Sequence, residues 1–270
     1  MKYLISFYIV LFLAITASAQ THIKISAVRE NRKTILYAAN SEACEVSIVL
    51  RLRLTNLAVP DGYLNVFVIP AGAKIYKLTE LKATASYTHV SFTFDSYFGN
   101  INQVVSDEDK VYDLPFERGL SFTINQGYNG SFSHQNENAL DFDMPIGTNI
   151  LAANDGVVVA IVDTFIGACL AVECKKKANY VLIHHSDGTF GYYAHIQYAG
   201  AKVLVGQVVH KGDTIAVSGN TGYTRGPHLH FVCFVPRING RETLATKFRV
   251  GNGKTSQYLQ EGKTYKKRYN

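Results

Sequence analysis

Seven of the chain's nine histidines lie between positions 134 and 230, and six of them, His134, His184, His185, His195, His228 and His230, sit in or beside stretches that could do chemistry. In the run His228-Leu229-His230-Phe231-Val232, a strand of period two sends both imidazoles to one face and Leu229 to the other, so the two rings can address one point in space. A helix would not bring them together at this spacing. The preceding Gly222-Tyr223-Thr224-Arg225-Gly226-Pro227 supplies the glycine and proline that fix where such a strand begins. Upstream, His134 is joined by the polar loop Gln135-Asn136-Glu137-Asn138 to Ala139-Leu140-Asp141-Phe142. A carboxylate set among apolar neighbours is expected to be buried, and burial demands a cation or several hydrogen bonds. A divalent metal meets that demand, with two imidazoles completing the ligand set. Asp143 has the same strand parity and competes for the role; one carboxylate suffices, and Asp141 is the preferred ligand.

These side chains must be held by strands. From Gln20 to about Asn102 the dominant period is two. In Val46 to Leu54 every even position is apolar and most odd ones are polar, and Thr88, Val90, Phe92 and Phe94 repeat the pattern. Turn signals at Pro60-Asp61-Gly62 and Pro70-Ala71-Gly72 separate the runs, which predicts a small β-sandwich. The polar stretch Ser106-Asp107-Glu108-Asp109-Lys110 is the predicted boundary. Beyond it, glycine-punctuated strands continue with almost no helical periodicity. Asn154-Asp155-Gly156 predicts a hairpin between 149–153 and 157–162, and Ser186-Asp187-Gly188-Thr189 predicts another. The fold class is all-β: an N-terminal β-sandwich-like domain over 20–110, an antiparallel β-core over 111–250 and a solvated basic tail over 251–270.

Four stretches in this second region resemble the lysostaphin- and LytM-type zinc metallopeptidases, the M23 family that cleaves peptide cross-links of peptidoglycan. They are Asn129-Gly130-Ser131-Phe132-Ser133-His134; Ala139-Leu140-Asp141-Phe142 with Pro145-Ile146-Gly147-Thr148 and Asp155-Gly156-Val157-Val158; Tyr193-Ala194-His195-Ile196; and Gly226-Pro227-His228-Leu229-His230-Phe231. The resemblance covers about half the chain, and its short motifs are specific in combination and order. It implies zinc held by His134, Asp141 and His230, with His195 and His228 as the catalytic pair, and a peptidoglycan peptide as substrate. Three protein ligands would leave the fourth zinc position to water, whose pKa falls to about 7 on such an ion. Seven positions separate His134 from Asp141, a longer loop than in the shortest family members, so the cleft beside it is expected to differ in shape.

The remaining histidines have blander readings. His184 and His185 precede a turn and are expected to be structural, while His22, His89 and His210 have no partner motif. Asp155-Gly156-Val157-Val158 and the segment 205–213 also resemble the hairpins of lipoyl-carrier domains, a likeness of β-architecture that has no use for His228-Leu229-His230. A non-catalytic wall-binding or regulatory protein on the same fold is the rival function, disfavoured because every expected ligand and catalytic position is filled.

Met1-Lys2, the apolar run from Tyr3 to Ile15 and Ala17-Ser18-Ala19 together read as a signal peptide cleaved near Ala19. The run is shorter than the about 20 residues that span a membrane, so the expected product is exported, periplasmic or secreted, with no membrane span. The formal charge of +6 falls to +5 without Lys2, a modest bias toward anionic partners, and no nucleic-acid-binding motif accompanies the scattered basic residues. Four cysteines in an exported chain predict disulfide use. Cys169 and Cys174 are the expected pair, closing a short loop worth about 2 kcal/mol, while Cys44 and Cys233 either pair or remain buried thiols. The N-terminal domain is the place for any protein partner, or a spacer; no single residue there decides.

Overall fold

The computed structural model describes residues 21–104 and 110–270. The signal peptide therefore lies outside the described residues, as does the predicted boundary stretch apart from Lys110. Contacts divide the chain into two compact units that meet in sequence at Ile101 and Asn102. Among the described residues no helix is long and apolar enough to cross a membrane. Strand dominates both units.

The first unit contains β1 (Ile23–Glu30), β2 (Lys33–Asn40), β3 (Val46–Thr55), β4 (Leu57–Ala58), β5 (Val66–Ile69), β6 (Tyr76–Ala83) and β7 (His89–Phe98). They form two sheets, β1-β2-β6-β4 and β5-β3-β7. Leu36, Ala38 and Leu81 of the first share one hydrophobic cluster with Ile48, Leu50 and Ile69 of the second. The strict alternation expected of β3 appears only in its second half, where Arg51, Arg53 and Thr55 are exposed. Val46 to Leu50 are all buried, and the polar Ser47 is accommodated by donating to Gly99 O (2.7 Å) and accepting from Ile101 N (3.0 Å).

The second unit holds β8 (Val111–Tyr112), β9 (Ser121–Gln126), β10 (Ala139–Phe142), β11 (Asn149–Leu151), β12 (Gly156–Val162), β13 (Ala168–Cys169), β14 (Tyr180–His184), β15 (Phe190–Ala194), β16 (Ile196–Ala201), β17 (Val208–Val209), β18 (Thr214–Ser218), β19 (Gly222–Tyr223), β20 (Leu229–Arg237), β21 (Gly240–Leu244), β22 (Lys247–Val250), β23 (Thr255–Tyr258) and β24 (Thr264–Lys266). The main sheet runs β17-β12-β14-β15-β20-β10-β9-β24. Its neighbours are antiparallel, and β14 and β15 are joined by the expected hairpin with His184 opposite Phe190. Leu140, Phe142, Leu229 and Phe231 are at most 1% exposed on its core side, each contributing about 1.5–3 kcal/mol by leaving water. A single 3-10 segment, Val172–Lys177, interrupts the strands among the described residues.

Two expectations are corrected. Asn154-Asp155-Gly156 does not close a hairpin, because β11 pairs with β18 in a separate sheet while β12 pairs with β14 and β17. The glycine serves a close approach instead: a Cβ on Gly156 would lie 2.5 Å from the backbone oxygen of His184. Nor does 251–270 fray. Tyr265, Lys267 and Tyr269 are buried while Lys266 and Arg268 are exposed, a period-two pattern concealed by its charges. β24 pairs with β9, Lys267 Nζ donates to Leu114 O (3.0 Å), and Tyr269 Oη accepts from Leu114 N (3.0 Å) and donates to Arg249 O (2.9 Å). The two tyrosines carry the basic residues into place.

Cys169 and Cys174 are joined in a disulfide, with β13 on one side and the 3-10 segment on the other. Cys44 and Cys233 are buried free thiols, one in each unit. Burial pushes the thiols up to about 12 and about 11, so neither is a ready thiolate ligand.

Candidate metal centre

Four adjacent strands build the site by register. Asp141 on β10 is directly opposite His230 on β20 and also opposite Gln126 on β9, while His230 is opposite Ala194 at the end of β15. Paired residues in a sheet project to the same face, so Gln126, Asp141, His230 and the residue 194 position form one row. His228 shares that face two positions before His230, and Leu229 between them is fully buried on the other side. His134 arrives from the turn between β9 and β10, where Gly130 is needed: a Cβ there would lie 2.4 Å from Gln126 Cγ.

Three donor atoms converge. His134 Nε2 lies 3.2 Å from Asp141 Oδ1 and 3.2 Å from His230 Nδ1, and His230 Nδ1 lies 2.9 Å from the same carboxylate oxygen. Ligand bonds of about 2.0–2.2 Å to a tetrahedral ion imply ligand separations of roughly 3.3–3.6 Å, so the triangle needs to open by only a few tenths of an ångström. The chemistry of the donors fits as well. His134 Nδ1 meets the carbonyl of Gly127 at 3.0 Å and must donate to it, so in the neutral ring Nε2 carries the lone pair and faces the cluster. Gln126 Nε2 donates to Asp141 Oδ2 (3.2 Å) and to Ser133 Oγ (2.8 Å), while its Oε1 accepts from Phe132 N (2.9 Å) and Ser133 N (3.0 Å). One carboxylate oxygen is thus held by protein and the other turned to the histidines. These are groups that could hold a metal ion.

The electrostatics follow from burial set against these partners. Burial opposes ionisation of Asp141, but hydrogen bonds from His134 and His230 outweigh it and hold the carboxyl well below the usual carboxylate range. Burial also opposes charge on His134, where the Asp141 carboxylate prevails and raises its pKa; on His230 burial prevails and lowers it.

His195 and His228 stand beside the triangle. Their ring centroids are 4.5 Å apart, and His195 is 5.7 Å from His230. His195 Nδ1 donates to Thr221 O (2.6 Å), and burial, reinforced by His228 and His230, pushes its pKa down to about 3, so the ring is neutral with Nε2 unprotonated. Its backbone is left-handed, φ 64°, a conformation that costs a non-glycine residue about 1–3 kcal/mol and that here turns the chain from β15 into β16. His228 Nδ1 meets Gly226 O at 2.8 Å and Thr224 Oγ1 at 3.1 Å, leaving its Nε2 3.5 Å from Asp141 Oδ1.

All five residues singled out from the sequence meet here, and all of them except the fully buried His134 line a cleft of about 630 Å³. Residues 135–243 match Peptidase family M23. The second unit carries an M23 peptidase domain. The match begins one residue after His134 and includes Asp141, His195, His228 and His230. The peptidoglycan DD-endopeptidase ShyA of Vibrio cholerae is 37% identical to the chain over 115 residues, 42% of this chain and 23% of that protein. ShyB of the same organism, also named a peptidoglycan DD-endopeptidase, is 32% identical over 157 residues, 51% of this chain and 33% of that protein. The chain thus spans a third or less of the length of these relatives. Among solved structures, the catalytic domain of lysostaphin from Staphylococcus simulans is 25% identical, covering 52% of this chain and 87% of that domain with a TM-score of 0.34.

Asp143 stays outside the triangle: it lies just past β10, lines the cleft and binds through its amide to Thr123 O (2.9 Å). His184 and His185 do not line the cleft of the M23 domain. His185 Nδ1 donates to Asp155 O (2.6 Å) and the ring packs edge-on against Tyr112, the structural use expected of it. Two contributors carried no signal along the chain. Gln126 is one polar strand residue among many, and Thr221 acts through its carbonyl, a group every residue has.

Proposed function

We propose that the M23 domain is a zinc-dependent endopeptidase that hydrolyses peptide cross-links of bacterial peptidoglycan after export of the chain. The observation that carries this reading is the convergence of His134 Nε2, Asp141 Oδ1 and His230 Nδ1 within about one ion's coordination sphere, with two further histidines at its edge. The family match and the names of its relatives point to the same chemistry and to peptidoglycan.

His134, Asp141 and His230 would hold the ion. Zinc bound there supplies Lewis acidity to a substrate carbonyl and lowers the pKa of a bound water. The rest falls to the chain's own groups. His195, neutral and fixed through Nδ1 by Thr221, presents Nε2 as a proton acceptor or, once protonated, as a donor to the departing nitrogen. His228, fixed through Nδ1 by Gly226 O, presents its own Nε2 on the same side. Two imidazoles with Nδ1 occupied and Nε2 free can divide the work of moving a proton and hydrogen-bonding a developing oxyanion. Gln126 keeps Asp141 oriented.

The test uses the full exported chain. Metal analysis should find about one zinc per chain, and incubation with purified cross-linked peptidoglycan should generate new amino termini, lost on chelation and restored by zinc. Absence of both zinc and new amino termini would replace the peptidase with a wall-binding module on the same fold.

A further inference from the structure

We propose that Arg225 and Lys175 form a carboxylate-recognition subsite on the lip of the cleft, so that the peptide cleaved carries free carboxylates beside its scissile amide. The inference rests on the peptidase reading for the ligand being a peptide. The Arg225 guanidinium lies 3.6 Å from the centre of the Phe132 ring; Phe132 is stacked on Tyr223 at 5.8 Å and 15°; and Lys175 Nζ lies 5.5 Å from the Tyr223 ring. These four side chains, all lining the cleft, form one layer of cation, ring, ring and cation. Stacking uses the flat face of a guanidinium and leaves its N–H edges in plane, the geometry that grips a carboxylate with two parallel hydrogen bonds.

Three observations separate this layer from ordinary solvated charge. First, among the described residues neither Arg225 nor Lys175 has a carboxylate partner, whereas the other arginine of the cleft, Arg241, is paired with Glu137. Second, Arg225 is held in place. Buried Thr224 donates to Gly226 O (2.6 Å) and accepts from Gly226 N (3.1 Å), closing a tight turn around it, and the same hydroxyl meets His228 Nδ1 at 3.1 Å. Third, Lys175 directly follows the Cys169–Cys174 disulfide, and the parallel pair of β13 with β19 ties that segment to Tyr223. Both cations are therefore carried on stiffened backbone. Of the four carboxylates that line the cleft, Glu137 is paired with Arg241 and Asp141 belongs to the candidate metal centre, while Asp143 and Glu261, the latter engaged by Gly127 N at 3.0 Å, would repel an anion. They direct an incoming carboxylate to the Arg225 and Lys175 lip.

The experiment takes the full zinc-loaded chain and two synthetic cross-link peptides, identical except that the carboxyl groups flanking the scissile amide are free acids in one and primary amides in the other. Cleavage is followed with these peptides and binding with their reduced, non-hydrolysable forms. The acid should bind at least about ten-fold tighter than the amide, the range expected of a charge-assisted pair, and the preference should shrink as salt rises. In the double variant Arg225→Ala/Lys175→Ala the ratio should fall toward one, and Arg225→Lys should recover only part of it. Equal binding of acid and amide by the wild-type protein, or a preference that survives the double variant, overturns the proposal. Cleavage without preference removes the subsite and keeps the peptidase; preference without cleavage keeps the subsite and removes the peptidase.

Discussion

His184 ends β14 with His185 just beyond it, and His230 lies in β20 of the same sheet with His228 just before it; none of the four is exposed. The two pairs have opposite fates. His185 spends Nδ1 on a backbone carbonyl and its ring on Tyr112, and His184 packs against Phe190 with centroids 4.7 Å apart. The nearby carboxylate of Asp187 is occupied by Thr189 and by Lys110 at 3.1 Å. Around His230, by contrast, a carboxylate oxygen 2.9 Å away and a second imidazole nitrogen 3.2 Å away crowd the same ring nitrogen. Burial of histidine is common to both places. What distinguishes a candidate metal centre is three potential ligand atoms gathered at one spot, a grouping that a cation between them would satisfy.

Substitution should separate the two places most sharply in metal content. His230→Ala is expected to abolish both bound zinc and turnover, while His185→Phe keeps both; equal zinc in the two variants, by metal analysis of the purified proteins, would break the contrast. Next in size, His195→Ala should retain zinc and lose about 10² to 10⁴ in kcat, because a proton carrier and not a ligand has been removed. Normal turnover in that variant would strike His195 from the mechanism. Gln126→Ala should weaken zinc about 10–100-fold, measured by competition with a chelator, since Asp141 Oδ2 loses its orienting partner.

The smallest effect concerns stability. Burial pushes His185 down to about 4, whereas the unfolded ring binds a proton below about 6.5. Between those values the unfolded state holds more protons, so stability should rise with pH by at most about 1.4 kcal/mol per unit from this group. The depressed pKa of His195 acts in the same direction, and His185→Phe should remove only its own share of the slope. A slope unchanged by the substitution, in urea titrations at several pH values, would show that His185 is not held neutral by burial.

Much of the site was legible along the chain because it rests on short-range parity. His228 and His230 flank a core leucine, Asp141 lies among apolar neighbours, and both patterns predict faces correctly. Gln126 and Thr221 were illegible for the opposite reason: one acts through a common polar side chain chosen by register, the other through its backbone. The same limit explains the two errors of fold. The turn residues before Gly156 look like a hairpin until the partners of each strand are known, and the basic residues after 251 hide the alternation of Tyr265, Lys267 and Tyr269.

By itself the sequence determined the all-β character of the chain, the order of the five candidate residues and the faces on which His228 and His230 project. These follow from side-chain chemistry and a two-residue period, which are local properties. Only the tertiary structure decided that Asp141 stands opposite His230, that His134 folds in to complete the triangle, and that His195 takes a left-handed turn toward them. Strand register and turn geometry are set by pairing and packing between segments remote in sequence, and a period of two is unchanged by which partner a strand finds.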